Sequence, residues 1–252
     1  MRTFRWFILL ALLVAPFRPG SAADATTIVV GVEDLSYFPA YAVVDGEYVG
    51  AAREILDAFA KASGYRIVYR PMPIKRLYPE LLSGGVDLKF PDSPHWGVDV
   101  KKDARVSYSA PVIDYVDGTM VPPGSVGQGG GAVKVLGTVS GFTPYAWADE
   151  LRSKRVQLRE NPRLDLLLKQ VVLKRLDAAY VNVAVANHQL DTVMAMPGAL
   201  ALDSGLPLTR DSYLVSSASR PDLVEKFDRW LAANRELVAS IKRTLNAEKG
   251  VH

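Results

Sequence analysis

Cysteine is missing from the 252-residue chain, so no disulfide staples the fold. Histidine is nearly missing. His95, His188 and His252 are scattered, without the spacing that brings imidazoles together on a metal ion. No dense run of Lys and Arg with interleaved aromatics occurs, which excludes a nucleic-acid groove. No phosphate-cradling glycine loop and no nucleophile elbow is found. Past the N-terminal stretch, no segment is apolar and long enough to span a bilayer. What is present is an ordinary globular composition, 49% hydrophobic and 23% charged. The length suits one large domain or two lobes of roughly 100 residues each.

The first residues differ from the rest. Arg2 and Arg5 make a positive start, Trp6 to Ala15 is apolar, and Gly20-Ser21-Ala22-Ala23 supplies small residues for cleavage. This is the layout of a secretory signal peptide over residues 1–22, cut after Ala22 or Ala23. The apolar run falls far short of the roughly 20 residues of a spanning helix, and Arg18 closes it. Cleavage would take Arg2, Arg5 and Arg18 from the 30 bases and leave 27 against 27 acids. The sequence pI near 9.0 therefore carries no argument for a polyanionic partner. Without cysteine there is no acceptor for a lipid anchor, and the expected location is free in a bacterial periplasm.

Thr27 to Val32 is a β-branched run suited to a buried parallel strand. Asp45-Gly46 signals a hairpin within 42–49, and 50–63 has apolar residues at helical spacing with Gly64 placed as a C-cap. A strand at 66–69, a helix over 74–82 interrupted or kinked at Pro79, and a strand from Val86 follow. Residues 112–121 read as extended, after which Pro122-Pro123-Gly124-Ser125 and Gln128-Gly129-Gly130-Gly131 mark a boundary or exposed loop. Strand and helix then alternate again: strands at 133–139, 155–158 and 176–181, helices through Leu151 and over 162–173, and a helix or turn from 183 to 190. An extended segment at 208–215 and two amphipathic helices, 221–232 and 235–245, end the chain. This pattern predicts two α/β units with mostly parallel sheets.

The order of short motifs resembles solute-binding family 3, the periplasmic proteins of polar amino-acid uptake. The matching residues are Val30-Gly31-Val32, Tyr37-Phe38-Pro39, Gly46 to Gly50, Leu82 to Leu88, Tyr108 to Pro111, Gly141-Phe142-Thr143, and Leu176 to Ala179 before Asn182. Each is weak alone and together they cover nearly the whole mature chain. The resemblance implies a two-lobed α/β periplasmic-binding fold of type II, its lobes joined by two crossing strands and closing on a ligand by hinge motion. It implies lobe 1 over 24–117, with 212–252 returning to it, and lobe 2 over 118–211.

Open α/β sheets bind ligands beyond the carboxyl ends of their strands. Glu33, Tyr37 and Phe38 follow the first strand, where an aromatic either stacks on a ligand or, for Phe38, staples the hairpin to the core. Thr143 follows a glycine turn into a helix and reads either as an anion site or as an ordinary N-cap. Asn182 ends a strand of the second unit with an amide that both donates and accepts. The segment Lys89 to Pro111 carries Asp92, Ser93 and Trp96, expected to shape the pocket, although Asp99 to Asp103 also suits a surface loop.

Departures from the family bear on the ligand. The family's carboxylate-gripping arginine is replaced by Lys102, the nearest alignment, or by Arg105 if the loop is displaced; a lysine lacks the planar fork. An aspartate that pairs with the ligand ammonium is replaced by Asn182, and Ala52 stands for a helix-capping aspartate. An ordinary amino acid is thus a poor expectation. The reading is a monomeric periplasmic binding protein for a small polar solute, without cofactor or metal, serving an inner-membrane permease. A sensory or accessory role, reporting to a membrane receptor, is the alternative. An enzyme resembling cyclohexadienyl dehydratases, with Glu33, Asp92 or His95 as acid or base, is the third.

Overall fold

The computed structural model describes residues 25–251, so the expected signal segment 1–22 lies outside the described residues. The first strand, β1 (Thr26–Glu33), buries Ile28, Val30 and Val32 on alternate positions, as a strand's period of two requires. A small hairpin sheet follows: β2 (Ser36–Tyr37), β3 (Tyr41–Val44) and β4 (Glu47–Val49). Asp45 and Gly46 both take positive φ in its turn.

Helix α1 (Ala51–Ser63) buries Ala51, Ala52, Ile55, Leu56, Phe59 and Ala60, a stripe at helical spacing. Each large side chain so buried contributes about 1.5–3 kcal/mol relative to exposure. No side chain caps its N-terminus, in keeping with Ala52 in place of an acid, and Gly64 closes it in the left-handed conformation.

Strand β5 (Tyr65–Met72) and helix α2 (Ile74–Ser83) follow. The helix runs unbroken through Pro79 rather than restarting there, with Leu77, Tyr78 and Leu81 buried on its inner face. Strand β6 (Leu88–Asp92) is buried throughout. The segment after it, read from sequence as loop, contains a short helix α3 (Val98–Lys101) before β7 (Ser107–Tyr108).

The long β8 (Ile113–Val121) leads to the second unit: β9 (Val135–Val139), α4 (Ala148–Arg152), β10 (Gln157–Asn161), α5 (Leu164–Val172), β11 (Ala178–Asn182), α6 (Val183–His188) and β12 (Ala201–Leu202). Strand β13 (Thr209–Ser217) and helices α7 (Pro221–Ala233) and α8 (Arg235–Leu245) complete the chain.

The main sheet runs β10-β9-β11-β8-β13-β6-β1-β5. Its ends are parallel: β1 with β5 and β6, and β9 with β10 and β11. Its middle is antiparallel, through β11–β8, β8–β13 and β13–β6. Strands β8 and β13 are the two crossing strands, and the architecture is the two-lobed type II periplasmic-binding fold. Helices α7 and α8 pack on α1. Phe227 meets Phe59 edge-on at 5.1 Å, and Trp230 meets Phe59 at 5.8 Å.

Candidate functional site

A cavity of about 600 Å³ opens where the two halves of the sheet meet. Tyr115 and Asp117 of β8 line it, two residues apart and therefore on one face of the strand. Thr209 of β13 stands directly opposite Asp117 in the antiparallel register, and Asp211 stands opposite Tyr115. One wall comes from the first unit: Glu33 at the end of β1, Ile74, Lys75 and Tyr78 of α2, and Trp96 to Val100. The other comes from the Gly141-Phe142-Thr143 turn, Tyr145 and Tyr180.

The acids are held in an unusual state. Asp117 is only 8% exposed, and its Oδ1 has no hydrogen-bond partner among the described residues. Burial, with Asp211 and Glu33 nearby, pushes its carboxyl up to about 7. Glu33 is 2% exposed and accepts a 2.6 Å hydrogen bond from the Tyr41 hydroxyl. Burial raises its carboxyl too, against the lowering effect of Lys89 and that hydrogen bond. Burial keeps the surrounding phenols of Tyr37, Tyr115 and Tyr213 neutral, pushed above the ordinary tyrosine range.

Beside the cavity lies a second charged cluster. Lys89 is 0% exposed and Lys101 is 7% exposed, and both reach the same Oδ1 of Asp92 at 3.4 Å. Lys89 also donates to the Pro91 carbonyl. Lys101 donates to the Ser93 carbonyl at 2.7 Å and the Tyr108 hydroxyl at 2.8 Å. Asp92 further accepts from the Ser216 hydroxyl at 2.6 Å and the Ser93 amide at 2.9 Å. Such a buried charge set holds only because its polar atoms are satisfied internally. Tyr78 and Trp96, which line the cavity, lie over the Lys89 ammonium at 5.0 and 5.9 Å.

Of the residues expected at the site, Glu33, Trp96 and Thr143 line this cavity. Thr143 is exposed and caps no helix; the chain passes through a 3-10 turn at Tyr145–Trp147 before the short α4. The other expected residues are not among the lining. Tyr37 is buried behind Phe142, ring centroids 5.3 Å apart. Phe38 packs on His188 at 4.8 Å in a separate groove. Asp92 is buried in the lysine cluster, and Ser93 is buried with its hydroxyl 3.2 Å from an Asp211 oxygen. Asn182 is an N-cap: its Oδ1 accepts from the Val185 amide at 3.0 Å and its Nδ2 donates to the Tyr213 hydroxyl at 2.9 Å.

Lys102 and Arg105 are both exposed, and neither lines the cavity; the buried lysine of that pair is Lys101. Adjacent residues of a helix point about 100° apart, so the α3 turn separates the two lysines. The loop reaches the cavity through Trp96, which packs on Tyr115 and Tyr213, and through Gly97. Gly97 takes φ +58°, and a Cβ there would meet the Tyr78 ring at 2.8 Å.

Sequence reading missed Asp117 and the tyrosines 78, 115, 145 and 180. The usable signal for Asp117 was an acid inside the otherwise apolar extended segment Val112 to Val121. Its register partner on β11 is Asn182. The buried acid of the cavity thus stands one strand away from the amide at position 182.

No family model matches the chain, and no curated protein matches it in sequence. Solved structures do match in fold. An ancestral arginine-binding protein bound to arginine superposes with a TM-score of 0.71 at 18% identity, covering 88% of this chain and 99% of that one. The arginine-, lysine-, histidine-binding protein ArtJ from Geobacillus stearothermophilus gives 0.70 at 20% identity, over 87% and 95% of the two chains. A histidine kinase sensor domain with similarity to periplasmic binding proteins gives 0.70 at 19% identity, over 88% and 97%. The chain has the fold of the amino-acid-binding periplasmic proteins. Among its described residues, no helix is long and apolar enough to cross a membrane.

Proposed function

We propose that this chain is a monomeric periplasmic solute-binding protein that captures a small polar solute between its lobes and delivers it to an inner-membrane ABC transporter. The observation that carries this reading is the cavity, lined from both units and from the crossing strands between them. A solute touching Tyr78 and Trp96 on one side and Phe142 and Tyr145 on the other would draw the halves together. On this reading residues 24–117 and 212–252 form one lobe, 118–211 the other, and residues 1–22 are removed on export.

Binding without turnover fits the acids best. Asp92 is committed to two lysines and does not line the cavity, which takes one candidate acid out of reach of a solute. A sensory role is the second reading, favoured by the equal likeness in fold to a kinase sensor domain.

A thermal-shift screen of residues 24–252 against amino acids, amines, carboxylates and sugars tests the reading. A hit should raise the melting temperature by several degrees and weaken at least tenfold in Trp96→Ala. A panel without a single stabilising solute, or a hit indifferent to Trp96, sinks it. Loss of uptake of the hit on gene deletion favours transport; intact uptake with an altered transcriptional response favours sensing.

A further inference from the structure

Asp117 presents a solute with a buried carboxylate oxygen that no group among the described residues satisfies. Leaving such an atom unpaired costs about 1–3 kcal/mol, and more when charged, so the site is complete only with a donor from outside. Glu33 adds a second buried acid to the lining of the same cavity. The remaining surface is dominated by rings: Tyr78, Trp96, Tyr115, Phe142, Tyr145 and Tyr180. A cation over an aromatic face gains about 0.5–2 kcal/mol once desolvated.

The positive groups that could meet a ligand carboxylate are otherwise engaged. Lys89 and Lys101 are spent on Asp92 and do not line the cavity. Among the described residues Lys75 is the one cation of the lining, and it is exposed. A carboxylate placed deep in the cavity would face Asp117 and Glu33 with no partner.

We propose that the cavity selects an organic ammonium cation lacking a carboxylate, with Asp117 as its counter-ion and the aromatic walls around its alkyl body. The assignment rests on the solute-binding reading and narrows it. An ammonium donates N–H to Asp117 Oδ1 and neutralises the acidic wall, so cation and carboxylate stabilise each other where each alone would be poorly solvated.

The charge state of Asp117 makes the assignment testable by pH. The titratable groups facing it are Asp211 of β13 and Glu33 of β1, together with Tyr37, Tyr115, Tyr180 and Tyr213, whose phenols stay neutral. With its carboxyl near 7, Asp117 passes from mostly protonated at pH 6 to mostly ionised at pH 8, while an alkylammonium, like a lysine side chain of ordinary value about 10.4, stays charged throughout.

Isothermal calorimetry on residues 24–252 with pentylamine, norleucine and hexanoate separates the possibilities, since the three share a similar chain and differ in head group. Pentylamine should bind at least tenfold tighter than the other two at pH 8, and lose about tenfold in affinity at pH 6. Asp117→Asn, with folding checked by circular dichroism, should abolish the binding; the wild-type pH profile tests the same point without a variant. Tighter binding of norleucine or hexanoate, or pentylamine binding that does not change between pH 6 and 8, overturns the cation assignment. If pentylamine fails while another solute of the wider panel binds, the assignment falls and the solute-binding reading stands. Silence from every solute overturns both.

Discussion

Tyr115 and Tyr213 stack with ring centroids 4.4 Å apart and planes 17° apart, across the two strands that join the halves of the sheet. Tyr213 is buried, Tyr115 lines the cavity, and Trp96 leans on both rings at 5.9 and 6.1 Å. The Tyr213 hydroxyl holds the Asn182 amide, which in turn caps α6. The base of the cavity is thus linked by direct contacts to the loop of the first unit and to the helix start of the second. A solute that moves Trp96 moves a ring already packed on both crossing strands.

Tyr213→Phe should lose about 1–2 kcal/mol of stability, because it leaves the buried Asn182 Nδ2 without its acceptor. Tyr213→Ala should lose more, about 3–5 kcal/mol, through the cavity it opens. Urea melts of both variants check the order; equal losses would mean the hydroxyl contributes nothing.

Asp117 makes stability fall as pH rises. Its folded carboxyl, near 7, lies above the unfolded value of 3.8, so between these values the native state holds the proton that the unfolded chain has released. The cost at pH 8 is on the order of a few kcal/mol. Asp117→Asn should therefore melt several degrees above wild type at pH 8 and lose that advantage at pH 5. Glu33, also raised, leaves a slope of the same sign in the variant. Melting temperatures at pH 5, 6.5 and 8 decide, and parallel curves for the two proteins contradict the prediction.

Asn182→Asp places an acid directly opposite Asp117 in the β8–β11 register. Two buried carboxylates at paired positions cannot both ionise cheaply. A loss of about 1–3 kcal/mol at pH 8, smaller at pH 5, is expected from denaturant titration. A variant as stable as wild type at pH 8 would show that the two side chains do not sense each other.

Lys101→Met should cost about 2–4 kcal/mol, since it strips one of two cations from buried Asp92 and leaves the Ser93 carbonyl and Tyr108 hydroxyl without that donor. Lys102→Met, one residue on and exposed, should stay within about 0.5 kcal/mol of wild type. Comparing the two by chemical denaturation tests the placement of the α3 turn; the reverse ranking would mean the helix is rotated.

Gly97→Ala adds a methyl where φ is +58° and the Tyr78 ring stands 2.8 Å away. The left-handed conformation alone costs about 1–2 kcal/mol, and Tyr78 must shift from the cavity wall. Lower stability together with weaker solute binding is the expected pair of effects, read from the thermal-shift screen. An unaltered melting temperature would place Gly97 away from the ring.

Most elements were legible from local pattern. Alternating β-branched residues in β1, the apolar stripe and terminal glycine of α1, the Asp45-Gly46 turn and the two C-terminal helices all follow from signals within a few residues. Elements without such a signal were missed: α3 lies in a polar segment, and its register decides whether Lys101 or Lys102 is buried. The candidate site was legible only in part. Glu33, Trp96 and Thr143 were singled out because they follow strands or a glycine turn, where ligand-facing loops begin. Asn182 was singled out on the same ground, yet its amide is consumed as a helix cap and as a donor to Tyr213.

The sequence by itself determined the succession of strands and helices, and with it the two-unit α/β architecture, since hydrophobic period and turn chemistry act over neighbouring residues. Which charges face the cavity was decided only by the tertiary structure. Pairing β8 with β11 and β13 sets Asp117 opposite Asn182 and Thr209, residues far apart in the chain. The α3 turn carries Lys101 inward onto Asp92, leaving the cavity to buried acids and aromatic rings. Strand register and helix rotation place these charges, and both are fixed by long-range burial.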